Sequence, residues 1–433
     1  MVMRKMKESG ISWIGLVPYD WKIMRLKYVS DFYNGYRGSN YPSGDDLVEE
    51  GIPFLTSNNI HGETLDVSDE ITKYITQEKY DSLGGAKVMK NDIIFCLRGS
   101  VGTCAINKSI DEGTVASSLV DIRPKKIDPN FLNYVLNSPL AEIQTLDFMN
   151  GSCALNLSAE NVSSYVIFVP SIPEQHRIST YLDAKCAEID ALTVDIQTQI
   201  DTLEQYKRSV ITETVTRGLD KNVEKKESGS QYWGDIPVKW DIVDIKYLFE
   251  IVKRIAGHEG YDILSITQHG IKVRDTSTNE GQVAADYSNY QFLYPGEYAM
   301  NHMDLLTGWV DLSDKFGVTS PDYRVFRLRD TKRNSRRYYK YIMQICYMCR
   351  IFYSLGNGVS NLGRWRLQTS SFNNFKVPVP PYEEQEEISD YLDAKIREIE
   401  ATIEIKNEQL STLDLFKKSL IYEYVTGKKE VPD

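Results

Sequence analysis

Three short patterns in this sequence carry residue types that could do chemistry. Cys346 and Cys349 form a C-x-x-C, which is half of a tetrahedral zinc site. Val379-Pro380-Pro381-Tyr382 imitates the polar Asn/Asp-Pro-Pro-aromatic tetrapeptide with which an adenine methyltransferase holds the amino group of a flipped base. Asp322, behind Pro321, and then Asp330-Thr331-Lys332 imitate the acidic–acidic–lysine set that gathers a divalent ion in many endonucleases.

Each pattern is incomplete. No second cysteine pair exists, and the first lies in "YYKYIMQICYMCRIFYSL", an aromatic-rich run that reads as a buried helix. Valine cannot accept the hydrogen bond that the tetrapeptide needs. The corresponding stretch elsewhere in the chain is "VPSI", so both read as punctuation between a strand and a helix. Asp330 sits in the basic run "RLRDTKRNSRRYYK", where pairing with Arg329 or Arg333 is the simpler expectation. There is no G-x-x-x-x-G-K-[ST] and no glycine-rich cofactor loop after a strand. His61, His176, His258, His269 and His302 show no ligand spacing. The reading is a chain with no catalytic residue, no metal and no cofactor of its own. The alternatives are a metal-dependent DNA endonuclease, or a scaffold that does not bind DNA.

At 433 residues the chain is long enough for two or three domains, and 42% hydrophobic with 26% charged residues is a globular composition. No apolar run reaches membrane-spanning length, and no apolar stretch follows the charged start, so neither a membrane span nor a signal peptide is expected. Six dispersed cysteines read as free thiols in a reducing cytoplasm. The net charge of −11 is unevenly placed. Residues 171–226 hold 8 basic and 10 acidic side chains and residues 376–433 hold 8 and 14, a net −8 between them.

Those two stretches contain a repeat. "VPSIPEQHRISTYLDAKCAEIDAL" (169–192) matches "VPPYEEQEEISDYLDAKIREIEAT" (379–402), and "YKRSVITETVTRG" (206–218) matches "FKKSLIYEYVTGK" (416–428), both at an offset of 210. A second repeat lies upstream, "ESGISWIGLVPYDWKIMRLKYV" (8–29) against "ESGSQYWGDIPVKWDIVDIKYL" (227–248). The regions between, about 140 and 130 residues long, barely match.

The 210-offset units read as long helices. Pro173 with Glu174, and Pro381 with Glu383 and Glu384, suit a first turn; Gly218 and Gly427 suit a C-terminal cap. Leu182, Ile189, Leu192, Ile196, Leu203, Tyr206 and Val210 fall on a 3-4 spacing, as do Leu392, Ile399, Leu413, Phe416 and Leu420. Two such helices can pack antiparallel about a pseudo-two-fold axis. The expected fold is α+β: two α/β domains separated by two long antiparallel coiled-coil helices. The expected divisions are 1–170, 171–220, 221–378 and 379–433. Within the variable regions, Gly85–Ile106 reads as strand, glycine turn, strand, and Tyr261–Asp275 as strand, turn, strand. Ile127–Leu146 and Arg336–Phe352 each read as one helix.

This combination resembles the specificity subunit of type I restriction-modification systems. The likeness is carried by both copies of the 8–29 and 169–192 motifs, by "NDIIFCLRGSVG" and by "GVTSPDY" (317–323), and it covers nearly the whole chain. "KNDIIF" departs from the family pattern, which has glycine before the aspartate. The resemblance implies two target-recognition domains, each reading half of a split site on double-stranded DNA. It implies helices that dock two methyltransferase subunits, which methylate adenine with S-adenosylmethionine held in those partners, and two further restriction/translocase subunits.

Phosphate contacts would position such a protein and base contacts would specify its site. For positioning, the candidates are Lys27, Lys246, Arg333, Arg336 and Arg337. Loop residues with forked donors or acceptors resolve base pairs in the major groove. In the first domain these are Asn58, Asn59, Arg98, Ser100 and Asn156. In the second they are Asn301, His302, Asp304, Ser320, Arg364 and Arg366. Leu182, Ile189, Leu392 and Ile399 are the candidate partner-binding positions on the helices.

Overall fold

A computed structural model describes residues 4–150, 156–268, 270–275, 286–357 and 365–432. Helix and sheet are mixed throughout, and the chain forms two compact units, residues 1–196 with 408–433 and residues 197–407. Two helices dominate, Ile172–Arg217 (46 residues) and Tyr382–Val425 (44 residues). At about 1.5 Å per residue each is roughly 65–70 Å long.

In the first unit a six-stranded sheet has the order 30–34, 119–124, 93–96, 104–106, 64–65, 60–61. Its central strand Ile93–Cys96 is buried on both faces, so its sequence is a continuous apolar run. Ile93 and Phe95 face the larger core with Trp21, Phe131 and Tyr165, whereas Ile94 and Cys96 face a second core with Leu55 and Val115. The expected strand–turn–strand over 85–106 is Ile93–Cys96 paired antiparallel with Cys104–Ile106. In place of one helix over 127–146 there are two, Pro129–Leu136 and Pro139–Asn150. Pro139 has no N–H to continue the first, and it starts the second instead.

In the second unit a four-stranded sheet has the order 249–252, 324–328, 298–300, 310–312. Its core is aromatic, with Phe249 in edge contact with Tyr298, Phe326 and Tyr339. The expected hairpin is Leu264–Thr267 with Gly270–Val273. The expected helix 336–352 is broken after Met348, because Arg350 takes a left-handed backbone (φ 54°) before a short helix Ile351–Ser354.

The long helices pair antiparallel within each unit. In the first, the rings of Tyr181 and Tyr424 lie 4.8 Å apart, and Lys417 bonds Asp190 at 3.0 Å. In the second, Lys207 bonds Glu400 at 2.8 Å. Leu182, Ile189, Val210, Leu392, Ile399 and Leu420 are buried, but Leu192, Tyr206 and Phe416 are exposed and stand off the apolar stripe. A straight helix drifts about 20° per heptad from a strict seven-residue repeat, and here each helix end also packs on a globular core.

Candidate nucleic-acid interface

The two domains are braced on the long helices by the same devices. Gln175 accepts the backbone N–H of Asp128 at 2.8 Å and donates to Pro170 O. Gln385 accepts that of Ser335 at 2.8 Å and donates to Pro380 O. Asp128 and Ser335 are the N-caps of helices Pro129–Leu136 and Arg336–Met348. From those helices, Tyr134 donates to Asp183 and Tyr341 to Asp393. The repeated helix sequence is thus the fixed seat of an unlike domain in each unit.

On the first domain, Arg98 and Asn156 come together in one groove with Asn34 and Arg37. The backbone N–H of Leu157 bonds Leu97 O at 3.0 Å, which sets Asn156 beside Arg98 although 58 residues separate them. Asn34 and Arg37 carry no motif, and only this folding places them there. Ser100 is exposed in the turn after Arg98, Asn58 is exposed, and Lys27 is exposed beside the ring of Tyr28. Asn59 has another job. It is fully buried, donates to Asp66 O and Thr72 Oγ1 and accepts from Thr56 N, so its amide braces the loop and leaves nothing for a base.

On the second domain, Leu367 N donates to His302 O (3.0 Å) and Leu305 N to Trp365 O (3.2 Å), which joins the loop bearing Asn301, His302 and Asp304 to the segment bearing Arg366. Beneath them lies Arg324, only 4% exposed, which donates to Leu367 O and Thr369 Oγ1 and stacks on Phe372. Arg324 carries no signal in the sequence, because a strand arginine between apolar neighbours looks like a surface residue. Burial, then the charges of Arg324 and Arg366, push His302 down to about 4, so its imidazole is neutral at pH 7. Asp304 accepts from the N–H groups of Leu306 and Thr307, and Ser320 Oγ accepts from Asp322 N. Arg364 lies outside the described residues.

The positioning candidates separate. Arg333 and Arg336 are exposed. Lys246 is held by Asp244 and Asn374, both at 3.0 Å. Arg337 is drawn into the long helix by Glu386, Asp390 (2.6 Å) and Asp393 (3.0 Å), so it braces the domain and its charge is already compensated. Leu182, Ile189 and Leu392 belong to the chain's own cores and Ile399 is buried as well, so a partner would meet the surface they support.

The chemical look-alikes dissolve. Asp322 and Asp330 flank opposite ends of strand Arg324–Leu328, and Asp330 accepts from Lys332 N and lies 3.9 Å from Arg333. They cannot converge on one ion. Cys346 is buried and Cys349 ends its helix. "VPPY" and "VPSI" each join the last residue of a strand to a long helix. Among the described residues, no group of three or more His, Cys, Asp or Glu side chains could hold a metal ion, and no helix is long and apolar enough to cross a membrane.

Two unlike domains are carried on repeated helices. The chain belongs to the family of type I restriction-modification specificity subunits: the pattern of the type I restriction modification DNA specificity domain matches residues 18–202 and again 237–409. It is similar to the putative type I restriction enzyme MjaX specificity subunit of Methanocaldococcus jannaschii, 23% identical over 445 residues and 96% of each chain. It is likewise similar to the MjaVIII specificity subunit of that organism, 22% identical over 96% of this chain and 94% of that one. A chain solved in work on complex assembly and conformational transition of the type I R-M system shares the fold, with a TM-score of 0.68 at 17% identity over 95% of this chain and 99% of that chain. A specificity subunit is non-catalytic; it selects the DNA.

Proposed function

We propose that the two domains each read one half of a bipartite, asymmetric site on double-stranded DNA. The long helices dock two methyltransferase subunits, which bind S-adenosylmethionine and methylate adenine, and two restriction/translocase subunits join the assembly in the cytoplasm. The observation that carries this reading is the repeated seat, Gln175 with Tyr134–Asp183 and Gln385 with Tyr341–Asp393, under domains that differ. Like helices suit like partners; unlike domains suit unlike half-sites. Base readout is assigned to Asn58, Arg98, Ser100 and Asn156 and to Asn301, His302, Asp304, Ser320 and Arg366, and phosphate contact to Lys27, Lys246, Arg333 and Arg336. The two long helices, Ile172–Arg217 and Tyr382–Val425, pack antiparallel as a coiled coil.

The test is a domain exchange. Residues 30–168 are replaced by the corresponding region of a related subunit, and methylated adenines are mapped with the partner present. One half of the target should change while the other stays. A change in both halves, or in neither, refutes the assignment.

A further inference from the structure

The groove on the first domain holds two arginines that fold-stabilising contacts leave unused. Among the described residues, neither Arg37 nor Arg98 makes a side-chain hydrogen bond or an ion pair, and the amides of Asn34 and Asn156 are likewise uncommitted. Their neighbours Ser158 and Asn161 are committed, since Asn161 Oδ1 accepts from Ser158 N–H in a helix-capping box. The backbone that carries these free donors is tied to the sheet. Asn34 O accepts from Ala86 N at 3.0 Å, and Gly35 N donates to Leu119 O at 3.3 Å. A Cβ on Gly35 would lie 2.1 Å from Ala116 O, so the segment that carries Arg37 is pressed onto the sheet. On the other wall, Arg98 and Asn156 are joined through the Leu97–Leu157 hydrogen bond.

We propose that Arg37 and Arg98 read guanine in the half-site of the first domain, with Arg37 as a specificity residue equal in rank to Arg98. This rests on the reading of the chain as a bipartite DNA reader and adds the base it seeks. A guanidinium forks onto guanine O6 and N7, which is the commonest specific contact in the major groove. Glu160, on the rim of the same groove, supplies the carboxylate that accepts from N4 of the paired cytosine. A phosphate track would need only charge, whereas this groove interleaves two forks with two amides and one acid.

The experiment uses the full chain assembled with its methyltransferase subunit and a library of duplex sites. Arg37→Ala should lower discrimination at one guanine of that half-site roughly ten- to a hundredfold. Arg37→Lys should keep only part of it, because an ammonium reaches O6 and N7 without the planar fork. Discrimination in the other half-site should not move. For the unaltered protein, 7-deazaguanine at that position should reproduce the loss, which keeps the proposal testable if a variant folds poorly. A uniform drop across all sites that Lys restores would make Arg37 a phosphate contact and overturn the proposal, as would unchanged preferences or a half-site without guanine. If the unaltered assembly methylates no defined site, it is the functional reading that fails.

Discussion

The side-chain oxygen of Gln175 accepts the backbone N–H of Asp128 at 2.8 Å. The bond ties the first turn of a long helix to the cap of a helix in the domain above it. Gln385 repeats the bond on Ser335 at the same length. Both glutamines are buried, and in each the amide nitrogen holds the carbonyl of the chain entering the helix. One side chain therefore satisfies two backbone groups that water cannot reach.

Gln175→Leu and Gln385→Leu should each destabilise the unit concerned by about 1–3 kcal/mol, the cost of leaving a buried donor and acceptor unpaired. Denaturant unfolding of each variant checks this. Equal and negligible shifts would mean that water replaces the amide.

The two helix-ending glycines should differ in what they tolerate. Both are left-handed, with φ +76° at Gly218 and +68° at Gly427, so alanine costs about 1–2 kcal/mol at either. A Cβ on Gly427 would also lie 2.4 Å from the ring of Pro18, whereas one on Gly218 meets the end of the Glu384 side chain at 2.9 Å. Glutamate can swing away and proline cannot. Gly427→Ala should therefore lower the melting temperature more than Gly218→Ala.

Half-buried His302 and buried Asp121 should give opposite pH dependences. His302 is pushed down to about 4 by burial and by Arg324 and Arg366. Its fold prefers the neutral ring, so that stability is full above about pH 6.5 and is lost as pH falls toward 4. His302→Asn should remove this slope.

Asp121 is pushed up to about 8 by burial and by Asp92, against the pull of Arg123. Its fold prefers the protonated acid, so that contribution is full below about pH 4 and is lost as pH rises through 8. Asp121→Asn should gain on the parent protein over the same range. Comparing each variant with its parent in unfolding titrations from pH 4 to 8 separates the two; a flat difference for either would remove its titration from the account.

The helix limits were legible because they are written in local chemistry. Pro173, Glu174, Glu383, Glu384, Gly218 and Gly427 mark ends that the structure places within a turn. Single breaks inside helices were harder. Pro139 splits a stretch that reads as one helix over 127–146, and the left-handed Arg350 carries no composition signal. The groove on the first domain was half legible: Arg98 and Asn156 sit in glycine- and serine-rich loops, while Asn34 at the end of its strand and Arg37 just beyond it reach the groove only through sheet pairing. Asn59 and Arg337 show the converse. A polar residue in a loop and a basic residue in a basic run look available until the fold uses their hydrogen bonds.

Leu420, Ile421, Tyr424 and Val425 share one core with Trp21, Phe131 and Leu182. The first domain thus borrows side chains made some 250 residues after its own last strand. On the ribosome, at about 5–20 residues per second, the nascent N-terminal domain must wait roughly ten seconds or more with that apolar cleft uncovered. Its folding waits on residues 420–425, so a chain truncated before residue 420 keeps that apolar cleft open.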